Sequence, residues 1–589
     1  VSTSTIGGGQ GGKLTIKASE SVLLEGIGSG LSSQAQRTGN AGSITLNTPN
    51  LTIQKQARIA AETINKGNAG NINIDTNKLM IQDGGIISSA TANEGSGGKL
   101  TINATESLQV INNPNEQSIT GLFTQTQGTG KAQTLTINTP ILILQDGAQI
   151  DAGTDIRSTG SGGDLIVNAS ESVQLIGTTA IRRFPSGLFT ATRGTGKAGN
   201  LTVNSPTLII RDGATISSAT NNGAGGNISI TANRLETING GKFRTSTTGV
   251  NKAGDINLNV KDSILIAGVN SGLFANTQTG STGDGGNIFI DPRSIILRDG
   301  ARIAVDSQGS GKGGDIQIEA GALTIDNQAA IFAETASNTG GSITLKMQEL
   351  LLLRRGGQIS TNAGTNSSGG DGGDIDINAK FIVAPPNENS DITANAFQGS
   401  GGKVNINAAG IFGLKPLSRQ ELERFLQTTD PTKLNPSQLQ TSNITAISQT
   451  NPSLNGEINL NTPDNDPSRA IAELPSDVVD VAGLINQNLC VATTGSQFTI
   501  TGRGGLSPSP YELLSTNIIW EDWWISEPYT TKPTITKNSP RSSPEISTTI
   551  IEAQGWVTDA NGNVILTAKP VTVAPNGTWL HPLNCQTFL

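Results

Sequence analysis

Residues 198–214 read AGNLTVNSPTLIIRDGA, and close relatives of this stretch recur along the chain. The sequence is AGSITLNTPNLTIQKQA at 41–57, AGNINIDTNKLMIQDGG at 69–85 and GGNIFIDPRSIILRDGA at 285–301. Each copy opens on a small residue and, in most copies, a glycine, and then places aliphatic residues at every second position. Because successive side chains of a strand point to opposite faces, this alternation over three to five residues predicts β-strands.

The copies share a six-residue opening segment, in which a small residue and a glycine precede alternating polar and aliphatic residues. Successive opening segments begin 27 to 36 residues apart. They occupy 11–16, 41–46, 69–74, 97–102, 132–137, 162–167, 198–203, 225–230, 253–258, 285–290, 313–318, 340–345, 372–377 and 401–406, with Gln133 replacing one glycine. A single unit cannot bury its aliphatic side chains, whereas stacked copies can. The repeats therefore predict an all-β fold, a right-handed parallel β-helix of about 14–15 coils with three short strands per coil.

Corners of the coils are predicted from the turn-forming residues. The glycine of each opening segment supplies either a positive φ or a close approach between neighbouring coils. Asn71, Asn138 and Asn227 are expected to help, because asparagine tolerates the left-handed region. Asp-Gly pairs after the second strand, such as Asp212-Gly213, are interpreted as turns and not as carboxylate ligands.

A Gly-Leu-Phe motif recurs at 121–123, 187–189 and 272–274. We interpret Phe123, Phe189 and Phe274 as interior side chains stacked at related corners. The alternative is an exposed aromatic ladder that binds a ligand.

Two insertions lengthen individual coils, INNPNEQSIT at 111–120 and IGTTAIRRFPS at 176–186. Insertions in solenoids gather on one face, which is often the binding face. We favour neutral drift in coil length as the explanation, with a binding face as the alternative.

The phase of the repeat breaks after residue 410. Residues 1–410 are predicted to be β-helix repeats, and residues 411–462 a final coil or cap. Within this second region, 417–427 is predicted to be a helix, because Ser418 and Glu421 fit a capping box. The strand pattern returns after the helix.

A change of composition separates the C-terminal part of the chain. Residues 463–477 are interpreted as a linker, and residues 478–589 as a small β-rich module that holds all the Trp, Tyr, Cys and His of the chain. Its clearest element is WVTDANGNVILTA at 556–568, which predicts a hairpin with Asn561-Gly562 at the turn.

Composition and charge exclude two classes of protein. The formal net charge is −8, with 39 Lys and Arg against 47 Asp and Glu. A nucleic-acid-binding protein would show a basic patch and a high pI, so no nucleic-acid partner is predicted. No run of about 18 apolar residues occurs, so no transmembrane helix is predicted.

The chain opens on VSTSTIGGGQ, which we interpret as a processed end or, as we favour, a piece of a longer protein whose repeat is already under way.

Cys490 and Cys585 are the only cysteines. In an oxidising compartment they are predicted to form a disulfide, and two buried free thiols are the alternative. No CxxC motif or Cys/His cluster exists, so no zinc site is predicted.

No other motif carries recognisable chemistry. GGDGGDIDI at 369–377 matches a calcium-binding nonapeptide only in part, because Asp376 stands where a large apolar residue is required. His581 has no Ser or Cys motif to serve, and the repeats contain no Trp or Tyr to line a sugar-cleaving cleft. We therefore predict no catalytic, cofactor-binding or metal-binding residues, and no enzymatic activity.

The glycine-led coils and the C-terminal sequence together resemble a known family. ELPSDVVDVAGLINQNLC at 473–490 leads to SQFTITGRGGL at 496–506 and to TGRGGLSPSPYELL at 501–514. Essentially the whole chain resembles the large cyanobacterial exoproteins of the filamentous haemagglutinin-like family. The coil pattern is common to many β-solenoids, whereas the C-terminal sequence is more specific to the family.

The resemblance implies export by two-partner secretion, through an outer-membrane β-barrel transporter, and folding outside the cell. It implies an adhesin at the outer cell surface or in the medium, with a cell-surface glycan or protein as its receptor. The family's N-terminal secretion domain has no counterpart in this sequence. Two other interpretations stay open, a polysaccharide-binding or polysaccharide-cleaving β-helix protein and a structural spacer rod.

Overall fold

A computed structural model describes residues 1–463, except 116–117, 182 and 366, together with 555–558 and 564–567. The chain divides into two compact units, Val1–Ile471 and Ala472–Leu589. The described part of the first unit is a parallel β-solenoid of about 15 turns, so the predicted fold class is confirmed.

Two parallel sheets run along the solenoid, one of long strands and one of short strands. The long-strand sheet consists of β1 (Leu14–Lys17), β2 (Ser21–Glu25), β4 (Ile44–Gln54), β6 (Ile72–Gln82), β8 (Leu100–Ile111), β10 (Leu135–Gln145), β12 (Leu165–Ile176), β14 (Leu201–Asn204), β15 (Thr207–Arg211), β17 (Ile228–Ile238), β19 (Ile256–Ala267), β21 (Ile288–Asp291), β22 (Ser294–Arg298), β24 (Ile316–Asp326), β26 (Ile343–Leu353), β28 (Ile375–Val383), β30 (Lys403–Phe412) and β33 (Glu457–Asn461).

The short-strand sheet forms the second wall, with one strand in nearly every turn. It consists of β3 (Gly30–Ser32), β5 (Arg58–Ala60), β7 (Ile86–Ser88), β9 (Gly121–Phe123), β11 (Gln149–Asp151), β13 (Gly187–Phe189), β16 (Thr215–Ser217), β18 (Lys242–Arg244), β20 (Gly272–Phe274), β23 (Arg302–Ala304), β25 (Ala330–Phe332), β27 (Gln358–Ser360), β29 (Asp391–Thr393), β31 (Leu414–Pro416) and β32 (Ser442–Thr445).

Most turns contain one long strand and one short strand, and not the three short strands predicted. The first two predicted strands merge because the chain stays hydrogen-bonded to its neighbours through the bend between them. The register shifts at that bend, for example between Thr139 and Ile141 of β10. The Thr139 hydroxyl donates to the carbonyl O of Ile141 at 3.1 Å and so closes the bend locally.

The aliphatic side chains of successive turns form one continuous core. In β10 the inward residues Leu135, Ile137, Leu142 and Leu144 are fully buried, and the same cluster extends from Leu14 to Ala446. Burying each such side chain contributes about 1.5–3 kcal/mol. Since no unit could bury this surface alone, the stability of each turn depends on its neighbours.

The glycines of the opening segments are required by close approach and not by a positive φ. A Cβ on Gly199 would lie 1.9 Å from the carbonyl O of Gly163 in the preceding turn, and one on Gly70 would lie 1.9 Å from that of Gly42. None of these four glycines has a positive φ. In the turns that have a glycine here, the stacked backbones leave no room for a Cβ at this corner, which we call the glycine corner; Gln133 takes the glycine's place in one turn.

The expectation that Asn71, Asn138 and Asn227 adopt the left-handed region is wrong, because none has a positive φ. They link neighbouring turns by hydrogen bonds. The Oδ1 of Asn227 accepts from the backbone N–H of Asp255 at 3.0 Å, and the Oδ1 of Asn71 accepts from that of Lys99 at 2.9 Å.

Asn138 belongs to a ladder of asparagines at the bend of the long strands. Asn138 Nδ2 donates to Asn103 Oδ1 at 2.8 Å, and the bonds from Asn168 to Asn138 and from Asn204 to Asn168 are each 2.9 Å. The ladder forms because parallel stacking repeats one side chain at intervals of about 4.8 Å.

The Asp-Gly pairs form turns, as predicted. Asp212 has φ 58° and Gly213 φ 85°, and Asp299 and Gly300 have φ 59° and 75°. Two consecutive positive φ values define a tight turn that aspartate and glycine tolerate best.

At another corner the structure contains a column of buried hydroxyl groups that the sequence patterns above do not predict. The Thr91 hydroxyl donates to the carbonyl O of Gly95 and the Thr192 hydroxyl to that of Gly196, each at 2.8 Å. Equivalent threonines bridge turn to turn along the solenoid. The recurring Thr-x-x-x-Gly spacing is the sequence signal of this corner.

The interpretation of the Gly-Leu-Phe phenylalanines as interior is wrong. Leu188 is fully buried at the centre of β13, whereas Phe189 is only half-buried on the outer side. A Cβ on Gly187 would lie 2.8 Å from Phe189 Cζ, so the ring folds back over the glycine of its own strand. Because strand residues alternate in direction, burying the leucine forces the phenylalanine outward.

The predicted helical excursion is confirmed. Helix α1 (Arg419–Leu426) begins at Ser418, which forms the capping box with Glu421. Single 3₁₀ turns follow at Pro431–Lys433, Pro436–Gln438 and Pro452–Leu454. Leu422, Leu417, Leu434 and Ile447 form a second small core under the helix. Strands β32 and β33 then return to the two sheets by pairing with β29 and β30.

The second unit is described only at a hairpin. Strands β34 (Gly555–Thr558) and β35 (Val564–Thr567) pair antiparallel, which confirms the hairpin predicted at 556–568. The expected turn at Asn561-Gly562 lies outside the described residues, as do Cys490 and Cys585 and their predicted disulfide.

Replacement of a glycine at the glycine corner is expected to destabilise the stack locally. For Gly199→Ala we expect a loss of about 1–3 kcal/mol, because the new methyl group meets a backbone carbonyl that cannot move alone. Hydrogen exchange of amides in the adjacent turns, together with thermal unfolding, measures the loss. Gly369→Ala is the control, because no atom lies within 4 Å of its Cβ position. Equal effects of the two substitutions would contradict the close-approach explanation.

Candidate functional site

The outer side of the short-strand sheet carries aromatic, acidic and basic side chains in neighbouring turns. We call this surface, from β9 to β27, the short-strand face. The central residue of each strand is buried, so the first and third residues point outward. Four of the third positions hold phenylalanines, Phe123, Phe189, Phe274 and Phe332, which we call the Phe strip.

The Phe strip runs along the solenoid at intervals of two or three turns. At about 4.8 Å per turn, neighbouring rings are about 10–14 Å apart. Each ring is half-buried. Phe123 and Phe274 fold over Gly121 and Gly272 as Phe189 does over its own glycine, with each Cζ 3.0 Å from a Cβ position. These three rings are thus held in place while part of each stays exposed.

Asp151 lies between two members of the strip. It is in register with Phe123 on one side and Phe189 on the other. Its Oδ1 accepts from the backbone N–H of Gly153 at 2.6 Å, and its Oδ2 accepts from Gln125 Nε2 at 2.5 Å. Burial raises the pKa of Asp151 to about 6, and these two hydrogen bonds oppose the shift.

A pair of carboxyl groups lies farther along, two residues beyond the short strands. The backbone N–H of Glu334 donates to Asp306 Oδ1 at 3.1 Å, and the Ser360 hydroxyl donates to Glu334 Oε1. Both line a cleft of about 270 Å³. Burial, and then the charge of Glu334, raise the pKa of Asp306 to about 7. Burial also raises the pKa of Glu334.

The two predicted insertions meet at one corner, between the long and the short strands. The backbone N–H of Ala180 donates to the carbonyl O of Pro114 at 3.0 Å, across the turn that lies between them. They directly precede β9 and β13, which carry Phe123 and Phe189. Both insertions therefore lie beside the short-strand face, and that this face binds a ligand stays a prediction.

A second concave surface lies at the bend of the long strands, alongside the asparagine ladder. This groove has a volume of about 1040 Å³ and crosses six turns. Ala104, Pro140 and Pro206 line it with the ladder amides, and Lys261 is its one charged lining residue. Because the amides already hydrogen-bond one another and no aromatic ring lines the groove, the short-strand face offers more for recognition.

The carboxylates of the sequence 369–377 bond to the next turn. Asp371 Oδ1 accepts from the backbone N–H of Ser400 at 2.7 Å, and Asp374 Oδ1 accepts from that of Lys403 at 3.0 Å. Asp376 Oδ1 accepts from Asn405 Nδ2 at 2.9 Å. In the part of the chain that the structure describes, no three His, Cys, Asp or Glu residues gather as metal ligands. None of the helices described there is long and apolar enough to cross a membrane.

Comparison with known proteins does not indicate a function, so the functional proposal below is based on the fold and on the short-strand face. No protein-family model, curated protein or solved structure matches this chain. The solenoid is compatible with a β-helix exoprotein of the adhesin or polysaccharide-interacting type. The resemblance to filamentous haemagglutinin-like proteins stays a prediction.

The raised pKa of Asp306 predicts a fall in stability as pH rises. The folded protein holds a proton that the unfolded chain, with a pKa near 3.9, releases first, so stability decreases between about pH 4 and pH 7. Asp306→Asn keeps a side-chain oxygen that can accept from the backbone N–H of Glu334. This variant is expected to reduce the dependence of stability on pH and to raise stability at pH 8. Urea unfolding at pH 5 and pH 8 measures both. A variant with the same pH slope as the unsubstituted chain would show that Asp306 ionises normally.

Proposed function

We propose that this chain is an extracellular, adhesin-type exoprotein whose solenoid binds surface polysaccharides through the short-strand face. The observation that carries the proposal is the Phe strip. Aromatic rings with part of their surface exposed are common anchors in binding sites, because they offer a large, rigid apolar area at low entropic cost. An extended polymer lying along the stack would meet one ring after another.

Repetition strengthens such binding. Contacts at several points along one polymer act together, since the first contact raises the effective concentration of the others. A solenoid is suited to this mode because its outward side chains recur at a fixed spacing. Each ring then needs to contribute only a small part of the binding free energy.

We further propose export by two-partner secretion through an outer-membrane transporter, as the resemblance implies. The solenoid supports this route, because turns can fold one after another as a threaded chain emerges. Fractionation of the producing cells is expected to recover the chain at the outer surface or in the medium. Recovery in the cytoplasm alone would contradict export.

Polysaccharide cleavage is the second candidate, and the Asp306–Glu334 pair is the observation that favours it. Glycosidases use two carboxyl groups, one of which has a raised pKa. We favour binding without turnover because both carboxyl groups are already hydrogen-bonded within the fold. Glu334 Oε1 accepts from the Ser360 hydroxyl, and Asp306 Oδ1 accepts from the backbone N–H of Glu334.

Removal of two rings from the Phe strip is expected to weaken polysaccharide binding. For the Phe189→Ala and Phe274→Ala double variant we expect at least a tenfold loss, or about 1.4 kcal/mol, because two anchors disappear. Binding to a panel of immobilised bacterial, algal and plant polysaccharides measures the loss. The unfolding temperature of the double variant should change little, because both rings lie outside the core.

The matched control is the double variant Phe289→Ala and Phe412→Ala, in which two exposed phenylalanines are removed from the long-strand sheet. This control should bind as the unsubstituted chain does. Equal binding by both double variants would contradict the assignment of the short-strand face. Release of reducing or unsaturated ends from a bound polymer, lost in Asp306→Asn, would favour the cleavage alternative.

A further inference from the structure

Partly buried cations in the solenoid are few, and most of them are paired. Among the described residues, five Lys or Arg residues are half-buried or buried: Arg211, Lys242, Arg244, Arg354 and Arg419. Three have a carboxylate partner. Arg211 pairs with Asp212 at 2.9 Å, Arg354 with Glu388 at 2.7 Å and Arg419 with Glu423 at 2.8 Å.

Lys242 and Arg244 are the exceptions. Within the described part of the chain, neither side chain has an ion-pair or hydrogen-bond partner. Both point outward from β18, at its first and third positions, so they share one side of the strand. Burial, and then the charge of Arg244, lower the pKa of Lys242, and burial lowers the pKa of Arg244.

Two neighbouring cations without a counter-ion destabilise the fold, because a partly desolvated charge is unfavourable unless it is paired. The adjacent turns supply no acid at the positions in register with them. Arg244 is in register with Ser217 and Phe274, and Lys242 with Thr215 and Gly272. The neighbours in register are therefore two hydroxyl residues, a glycine and one ring of the Phe strip.

The geometry points to an anion-binding subsite at Lys242 and Arg244 for the carboxylate or sulfate groups of an acidic polysaccharide, an assignment that rests on the proposed function of the short-strand face. The guanidinium fork of Arg244 matches the paired oxygens of either group, and the Lys242 ammonium adds a second charge. Phe274, on the next turn, offers the apolar surface on which a sugar ring packs. Charge complementarity thus selects an acidic polymer among those that the Phe strip could hold.

The test compares three polymers that differ in charge. Isothermal titration of the purified chain at pH 7 uses polygalacturonate, dextran sulfate and neutral dextran. For the Lys242→Gln and Arg244→Gln double variant we expect at least a tenfold loss of affinity for one or both acidic polymers. The polymer affected shows whether carboxylate or sulfate is recognised. Arg244→Lys should lose part of that affinity, because it keeps the charge without the fork.

The control removes the same charge elsewhere. Arg293→Gln with Lys312→Gln replaces two exposed cations outside the short-strand face, and should change affinity less than twofold. Thermal unfolding provides a second readout. The Lys242 and Arg244 double variant should unfold at the same temperature as the unsubstituted chain or a higher one, since it removes an unpaired charge.

Several results would overturn the subsite. Equal affinity of the double variant and the unsubstituted chain for both acidic polymers would do so, as would a clear drop in unfolding temperature, which would indicate a structural role. Equally tight binding of single-stranded DNA through the same two residues would point to unspecific polyanion binding. Binding of neutral polymers through the Phe strip, without dependence on charge, would overturn only the subsite. Failure to bind any polysaccharide would overturn the proposed function as well.

Discussion

The close stacking of backbone on backbone at the glycine corner is the constraint on which the rest of the structure depends. A Cβ at Gly199 would lie 1.9 Å from a carbonyl O of the preceding turn, and the glycines at the same corner of most other turns are equally constrained, with Gln133 as the exception. This contact fixes the spacing and register of the turns. It thereby determines which aliphatic side chains meet in the core and which polar side chains meet outside it.

Parallel stacking in register then turns each repeated residue into a column. Asparagines at the bend bond to asparagines, and the threonine hydroxyls bridge to glycine carbonyls. The Asn and Asp side chains of the opening segments accept from the backbone of the next turn. Since these columns satisfy polar groups that a coil would otherwise leave unpaired at its corners, they help to hold the register that the glycines set.

Chemically distinct sites arise only where the residue type changes from one turn to the next within a column. The third position of the short strands is Phe, Asp, Phe, Ser, Arg and Phe from β9 to β20. Neighbours in this column are far apart in sequence and about 4.8 Å apart in space. Burial of Asp151 between two phenylalanines, and of Lys242 and Arg244 without a counter-ion, arises from this juxtaposition.

Local residue patterns are enough to predict the parallel solenoid, its number of turns, the Asp-Gly turns, the capped helix and the C-terminal hairpin. The period-two alternation in 198–214 and the capping box from Ser418 to Glu421 are two such patterns. The direction of the side chains in the short strands, by contrast, is set by the stacking of the turns. Three residues are too few for alternation to show which one points inward, so the motif alone favours Phe189 as the core residue, whereas Leu188 occupies the core. The pairing of Asp306 with Glu334, and the lack of a partner for Arg244, likewise depend on which turns are neighbours in register, a property of the stack that no single repeat contains.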